Sequence, residues 1–247
     1  MSLSVITHKN VLIRILKDIF TDPAIGPILG FKGGTAAYLF YGLNRFSVDL
    51  DFDLLDKNRE GLVFEQVKKI LENHGAIKEF RKKRYSLFYL LSYHDKEHDA
   101  QNVKIEINRR DFGSKYELKS YLGIAMKVMV KEDMAAHKFV ALYEREGKTN
   151  RDIFDVQFFL RNNWPIRRDI IETRTRLPFL KFLDACIDIV EKKKDRDILS
   201  GIGELLDESQ KQWVREKLKT ETLFSLRLLR DNEKNGPAMP DIAGVSQ

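Results

Sequence analysis

Cysteine is almost missing: Cys186 stands alone among 247 residues. A single thiol excludes an internal disulfide, so packing has to hold this chain together, and a reducing, cytoplasmic setting is expected. Its neighbours Leu183, Ile187 and Val190 make Cys186 a small buried apolar residue rather than a nucleophile. No apolar run approaches the roughly 18 residues of a membrane span, so no transmembrane helix and no membrane partner is expected. Met1 to Asn10 lacks the charged region, apolar core and small-residue cleavage site of a secretory signal, and none is expected. There are also no internal repeats and no low-complexity runs.

What is present suits a globular chain. With 43% hydrophobic and 32% charged residues it can bury a real core, as one large or two modest domains. Lys and Arg total 43 against 37 Asp and Glu, a net charge of +6. That excess is compatible with phosphate-bearing partners such as nucleotides or nucleic acids.

Hydrophobic periodicity places a helix over residues 8–21, a short strand at Pro27 to Phe31, and a helix over Thr35 to Leu43. An acidic strand, Val48 to Leu54, follows, then a helix from Gly61 to Asn73. Extended segments are expected at Ile77 to Lys82, Tyr85 to Tyr93 and Asn102 to Asn108, and two short strands around Gly123. After Lys131 the period becomes helical throughout. The fold class is therefore α+β: a mixed β-sheet flanked by helices, then a C-terminal helical lobe. The boundary falls between Val130 and Pro165; residues 1–160 are taken as the first domain, 161–234 as a helical bundle and 235–247 as a loose tail.

The stretch Lys32 to Leu54 reads K-G-G-T-A-A-Y-L-F-Y-G-L-N-R-F-S-V-D-L-D-F-D-L. Its Gly-Gly-Thr turn (Gly33, Gly34, Thr35) allows close backbone approach and offers free N–H groups at a helix N-terminus, an anion site. Asp49, Asp51 and Asp53 occupy alternate positions, which puts them on one face of a strand. Crowded carboxylates repel unless a cation sits among them, and a divalent metal such as Mg²⁺ accepts carboxylate oxygens together with substrate phosphates. Asp53, near the strand end, also reads as a cap of the following loop. Glu106 would join the carboxylates if its strand, Lys104 to Asn108, lies beside the acidic one; plain solvent-facing alternation explains it equally well. Alone, Lys138, Asp152 and Asp155 read as ordinary helix residues. Arg81 to Arg84 is a solvated turn or a nucleic-acid contact, and the His94/His98 pair is a weak zinc spacing in a loop.

Three blocks in order, K-G-G-T-A-A…N-R-F-S-V-D-L-D-F, E-D-M-A-A-H-K-F-V-A-L and R-D-I-F-D-V-Q-F-F-L, resemble the AbiEii/AbiGii toxin family of nucleotidyltransferases, within the DNA polymerase β-like superfamily. The resemblance covers roughly Phe31 to Leu160. It implies that Gly33, Gly34 and Thr35 hold a triphosphate, that Asp49 and Asp51 bind Mg²⁺, that Lys138 contacts phosphate and that Asp152 is the later essential aspartate. No motif of the family pins the third carboxylate. It further implies transfer of an NMP from an NTP to an acceptor, tRNA 3′ ends among them, by a toxin of a type IV toxin–antitoxin or phage-defence system with a cognate antitoxin. Two other readings stay open: transfer to a small molecule, and a nucleotide- or partner-binding module without catalysis.

Overall fold

The apolar stripe Leu12, Ile15, Leu16 and Ile19 gives α1 (Val5–Thr21) its inward face, and all four side chains are buried. The computed structural model describes residues 5–93 and 100–235, so the His94/His98 spacing and the tail beyond Asn235 lie outside the described residues. A short 3-10 turn, Gly26–Ile28, precedes β1 (Leu29–Lys32); Pro27, expected in the strand, sits in that turn, where its missing N–H costs nothing. The chain then forms α2 (Gly33–Tyr41), β2 (Leu50–Leu54) and α3 (Glu60–Glu72). After these come β3 (Ala76–Lys82), β4 (Ser86–Tyr93), β5 (Gln101–Asn108), β6 (Tyr116–Tyr121) and β7 (Ile124–Met129).

These strands make one mixed sheet in the order β3-β4-β5-β2-β1-β7-β6. β2 runs antiparallel to β1 and parallel to β5, and β1 runs parallel to β7. The acidic strand is shorter than its sequence pattern suggests, for a local reason. His8 Nε2 donates to the Val48 carbonyl at 2.9 Å, and the Thr35 hydroxyl donates to the Asp49 carbonyl. Those carbonyls are satisfied by side chains, so the ladder starts at Leu50 and Asp49 precedes the strand.

The rest is helical: α4 (Lys131–Glu144), α5 (Asn150–Arg161), α6 (Arg168–Thr175), α7 (Phe179–Glu191), α8 (Glu208–Trp213) and α9 (Lys219–Lys234). A wider-wound turn, Val214–Leu218, joins the last two. The α+β class with a C-terminal helical region is thus as expected. Cys186 is buried on α7 among Phe182, Leu183 and Ile187. A division near residue 160 remains a proposal about folding units. Packing crosses it: Phe139 and Phe182 rings lie 6.5 Å apart, and Phe46 N donates to the Leu205 carbonyl at 3.0 Å. Among the described residues no helix is long and apolar enough to cross a membrane.

Candidate active site

Alternation along β2 buries Leu50, Phe52 and Leu54 on one face and turns Asp51 and Asp53 to the other. The parallel β2–β5 register then sets Asp51 beside Glu106. Glu106 accepts a hydrogen bond from the Ser86 hydroxyl at 2.7 Å. Asp51 has neither a hydrogen bond nor an ion pair among the described residues. Burial pushes its carboxyl above the usual range; the Lys104 ammonium pulls the other way and nearby Asp49 adds to the rise.

The turn into α2 lies directly on Asp51. Gly33 has φ +78°, and a Cβ there would sit 2.5 Å from Asp51 Oδ2. Glycine at this position is therefore needed twice, for the left-handed backbone and for the approach. The positive φ belongs to Gly33; at Gly34 the constraint is space, since a Cβ would meet Arg45 Nη2 at 2.9 Å and Ser47 Oγ at 2.8 Å. Lys32, the residue capping α2, makes no side-chain capping bond, which leaves the first amides of the helix for an anion. Thr35 is buried, and its hydroxyl is spent on the Asp49 carbonyl and on Ser47 Oγ, 2.9 Å away. Only its backbone remains for a ligand.

The expected crowding of three aspartates is corrected by the lysines around them. Asp53 takes Lys32 Nζ at 2.6 Å, Asn108 Nδ2 at 2.7 Å and the Tyr116 hydroxyl. Burial would raise its carboxyl, but these partners, Lys32 foremost, hold it below the usual range. Asp53 is thus held as an ion-paired and hydrogen-bonded anion within the sheet. Asp49 Oδ2 lies 3.3 Å from Lys104 Nζ and 4.0 Å from Arg151 Nη1. It does not line the cleft that Asp51 and Glu106 face. Burial disfavours the Lys104 ammonium, yet Asp51, Asp49 and Glu106 overcome that and raise its pKa.

That cleft has a volume of about 460 Å³, and Gly33, Gly34, Asp51, Glu106 and Lys138 all line it, a size suited to a nucleotide-scale ligand. Lys138, on α4, is 17% exposed and lies 3.1 Å from Asp152 Oδ1 and 3.0 Å from Asp155 Oδ2. Asp152 is buried behind it, away from the cleft lining, and also takes Arg145 Nη1 at 3.0 Å. Asp155, read from sequence as a helix-start residue, lines the cleft and is the second support of Lys138. Its spacing of three from Asp152 on one helix face was the available signal. Arg45, Lys104, Ser86 and His137 were also missed as site residues. His137 Nδ1 accepts from Arg174 at 2.8 Å, so its Nε2–H donates to Ser114 at 2.7 Å. Burial, helped by Lys32 and Arg174, pushes this imidazole down to about 3, and it stays neutral.

No group of three His, Cys, Asp or Glu among the described residues forms a closed metal cage. Two adjacent carboxylates, one without a partner among the described residues, nevertheless fit a hard divalent cation that takes its remaining oxygens from water and substrate phosphate.

A glycine turn at a helix N-terminus, placed over sheet carboxylates and facing a half-buried lysine, defines a site of the nucleotidyltransferase class. Residues 14–225 match the family model of the nucleotidyl transferase AbiEii toxin of type IV toxin–antitoxin systems, and the chain belongs to that family. It is a nucleotidyltransferase of a toxin family. A sequence search among curated proteins finds no match. Among solved structures, an H. pylori chain assigned as a nucleotidyltransferase aligns over 96% of this chain and 100% of its own, with TM-score 0.61 and 21% identity. JHP933 from Helicobacter pylori aligns over 95% of both chains, with TM-score 0.59 and 21% identity. MenT4, a nucleotidyltransferase toxin from Mycobacterium tuberculosis H37Rv, aligns over 90% of this chain and 92% of its own, with TM-score 0.50 and 19% identity. At these identities the likeness speaks for the fold.

Proposed function

We propose that this chain transfers an NMP from an NTP to the hydroxyl of an RNA, a tRNA end being the candidate acceptor. It would act in the cytoplasm as the toxin of a type IV toxin–antitoxin or phage-defence system, paired with a cognate antitoxin. The observation that carries the reading is Asp51, a half-buried carboxylate that lines the cleft with no hydrogen-bond or ion-pair partner among the described residues, in register with Glu106 and beneath the Gly33 turn. In the reaction the acceptor hydroxyl gives up its proton to solvent, its oxygen bonds to the α-phosphorus, the α–β bridging bond breaks and pyrophosphate leaves.

Asp51 and Glu106 would hold Mg²⁺, with Asp49 joining when it releases Lys104; the metal's contribution is to neutralise triphosphate charge and acidify the acceptor hydroxyl. The amides of Gly33, Gly34 and Thr35 would cradle phosphate, with Lys138 as a compact point charge on the same group. Asp152 and Asp155 would act through Lys138, holding its ammonium in place.

The test is incubation with each labelled NTP, Mg²⁺ and total tRNA, or no acceptor. Label on RNA supports the reading; NTP binding without transfer to any acceptor supports a binding module instead.

A further inference from the structure

Most cations that line the cleft are matched by carboxylates: Lys32 by Asp53, Lys138 by Asp152 and Asp155, Arg145 by Asp152, Arg174 by Glu144. Lys83, Arg84 and Arg110 are different. All three line the cleft, and none has a carboxylate partner among the described residues. They lie on ring faces instead. The Lys83 ammonium is 3.5 Å from the Phe88 centroid, and Arg84 and Arg110 are each 4.9 Å from that of Tyr85. Arg110 is also 5.3 Å from the Phe112 centroid. Tyr85 itself is 45% exposed.

This cluster is held firmly. Lys83 N donates to the Ser86 carbonyl at 2.8 Å and closes the β3–β4 hairpin. Arg109 N donates to the Tyr85 carbonyl at 2.9 Å, and the Arg109 side chain bonds the Lys83 carbonyl and Glu60. The cluster also adjoins the reaction centre, because Ser86, the residue after Tyr85, bonds Glu106. The strand order sets β4 and β1 on either side of the β5–β2 pair that carries Glu106 and Asp51. The phosphate turn after β1 and the Tyr85 hairpin before β4 therefore flank the carboxylates from opposite sides. A triphosphate on the first leaves the second for the other reactant.

Cations free of acidic partners, interleaved with an exposed ring, match a strand that offers phosphates and unstacked bases. A duplex keeps its bases stacked and cannot offer a face to Tyr85. Resting on the proposed transferase reading, we infer that the β3–β4 hairpin is the acceptor subsite and takes the single-stranded end of an RNA. Its phosphates draw Lys83, Arg84 and Arg110 off the ring faces, and a base stacks on the Tyr85 face that the guanidinium groups vacate.

Fluorescence anisotropy of a labelled single-stranded oligoribonucleotide of about eight nucleotides, within the usual site size of such grooves, tests this without Mg²⁺ or turnover. The wild type binds the single strand more tightly than a blunt duplex of the same sequence. Tyr85→Ala weakens the single strand about tenfold, in line with the loss of one stacked base, and Tyr85→Phe retains it. Replacing Arg84 and Arg110 by Gln lowers the slope of log affinity against log salt by about 1.4, for two lost phosphate contacts. All variants keep wild-type melting and NTP affinity, the latter measured separately by calorimetry. Equal binding of duplex and single strand, unchanged affinity in Tyr85→Ala, or loss of NTP rather than RNA binding would each overturn the assignment. Failure of the wild type to bind NTP would instead remove the transferase reading on which it rests.

Discussion

Arg45 grips Asp155 with two bonds, Nε to Oδ1 at 2.6 Å and Nη2 to Oδ2 at 2.7 Å, across 110 residues of sequence. The two side chains are 3% and 0% exposed. This pair ties the segment after α2 to α5, and Lys138 leans on the same carboxylate. Removing one member leaves charge buried without compensation. Asp155→Asn is therefore expected to lower the unfolding free energy by about 3–5 kcal/mol, measured in urea. Replacing Arg45 and Asp155 together with apolar residues should cost less than the sum of the single changes. A loss below about 1 kcal/mol in Asp155→Asn would show that the network is not holding the lobes.

Acid should weaken the protein in two windows. His137 is pushed down to about 3 in the folded chain, against about 6.5 when unfolded. The unfolded state thus binds more protons between those values, and stability falls as pH drops through that range, by about 2 kcal/mol at pH 5. In His137→Gln the slope of stability between pH 6.5 and pH 5 should flatten by about this amount. For Asp155, burial is outweighed by Arg45 and Lys138, and the folded carboxyl sits below its usual range. Its contribution is fully present above the unfolded value of about 3.9 and is lost only as pH falls through the lower folded one. Thermal melts from pH 7 to pH 3 would separate the two windows.

Gly33→Ala is expected to abolish transfer and destabilise the fold. The left-handed backbone alone costs about 1–2 kcal/mol for a residue with a Cβ, and that Cβ would displace Asp51. At Gly34 the neighbour is the end of the Arg45 side chain, so Gly34→Val should weaken NTP binding while disturbing the Arg45–Asp155 pair. Calorimetric NTP affinity equal to wild type in a folded Gly34→Val variant would contradict the phosphate role.

Asp51→Asn should eliminate Mg²⁺-dependent transfer yet leave the metal-free fold at least as stable, because burial penalises the charged carboxylate. Full activity in that variant, or a clear drop in its melting temperature, would count against Asp51 as the unpartnered metal-binding group.

Lys138→Ala should lose NTP affinity, and Lys138→Arg should recover part of it, since a planar fork replaces a compact ammonium. Because Asp152 and Asp155 depend on Lys138, the alanine variant should also melt earlier. An unchanged NTP affinity in a folded alanine variant would make Lys138 structural only.

Local pattern carried much of this protein. Alternation is a property of the strand backbone, so the faces of Asp51 and Glu106 and the buried side of α1 were legible from residues alone. The Gly33-Gly34 turn was legible too, because few conformations suit it. Register was not. Whether Glu106 sits beside Asp51 depends on which strands pair, and the β2–β5 neighbours lie over fifty residues apart. Nor did the sequence disclose which cations answer which carboxylates. Lys32 and Lys104 neutralise Asp53 and Asp49, and Arg45 reaches Asp155, through contacts that exist only once the sheet and α5 are packed. Charge pairing acts through space rather than along the chain, so the tertiary structure alone decided that Asp51 would be left without a partner among the described residues.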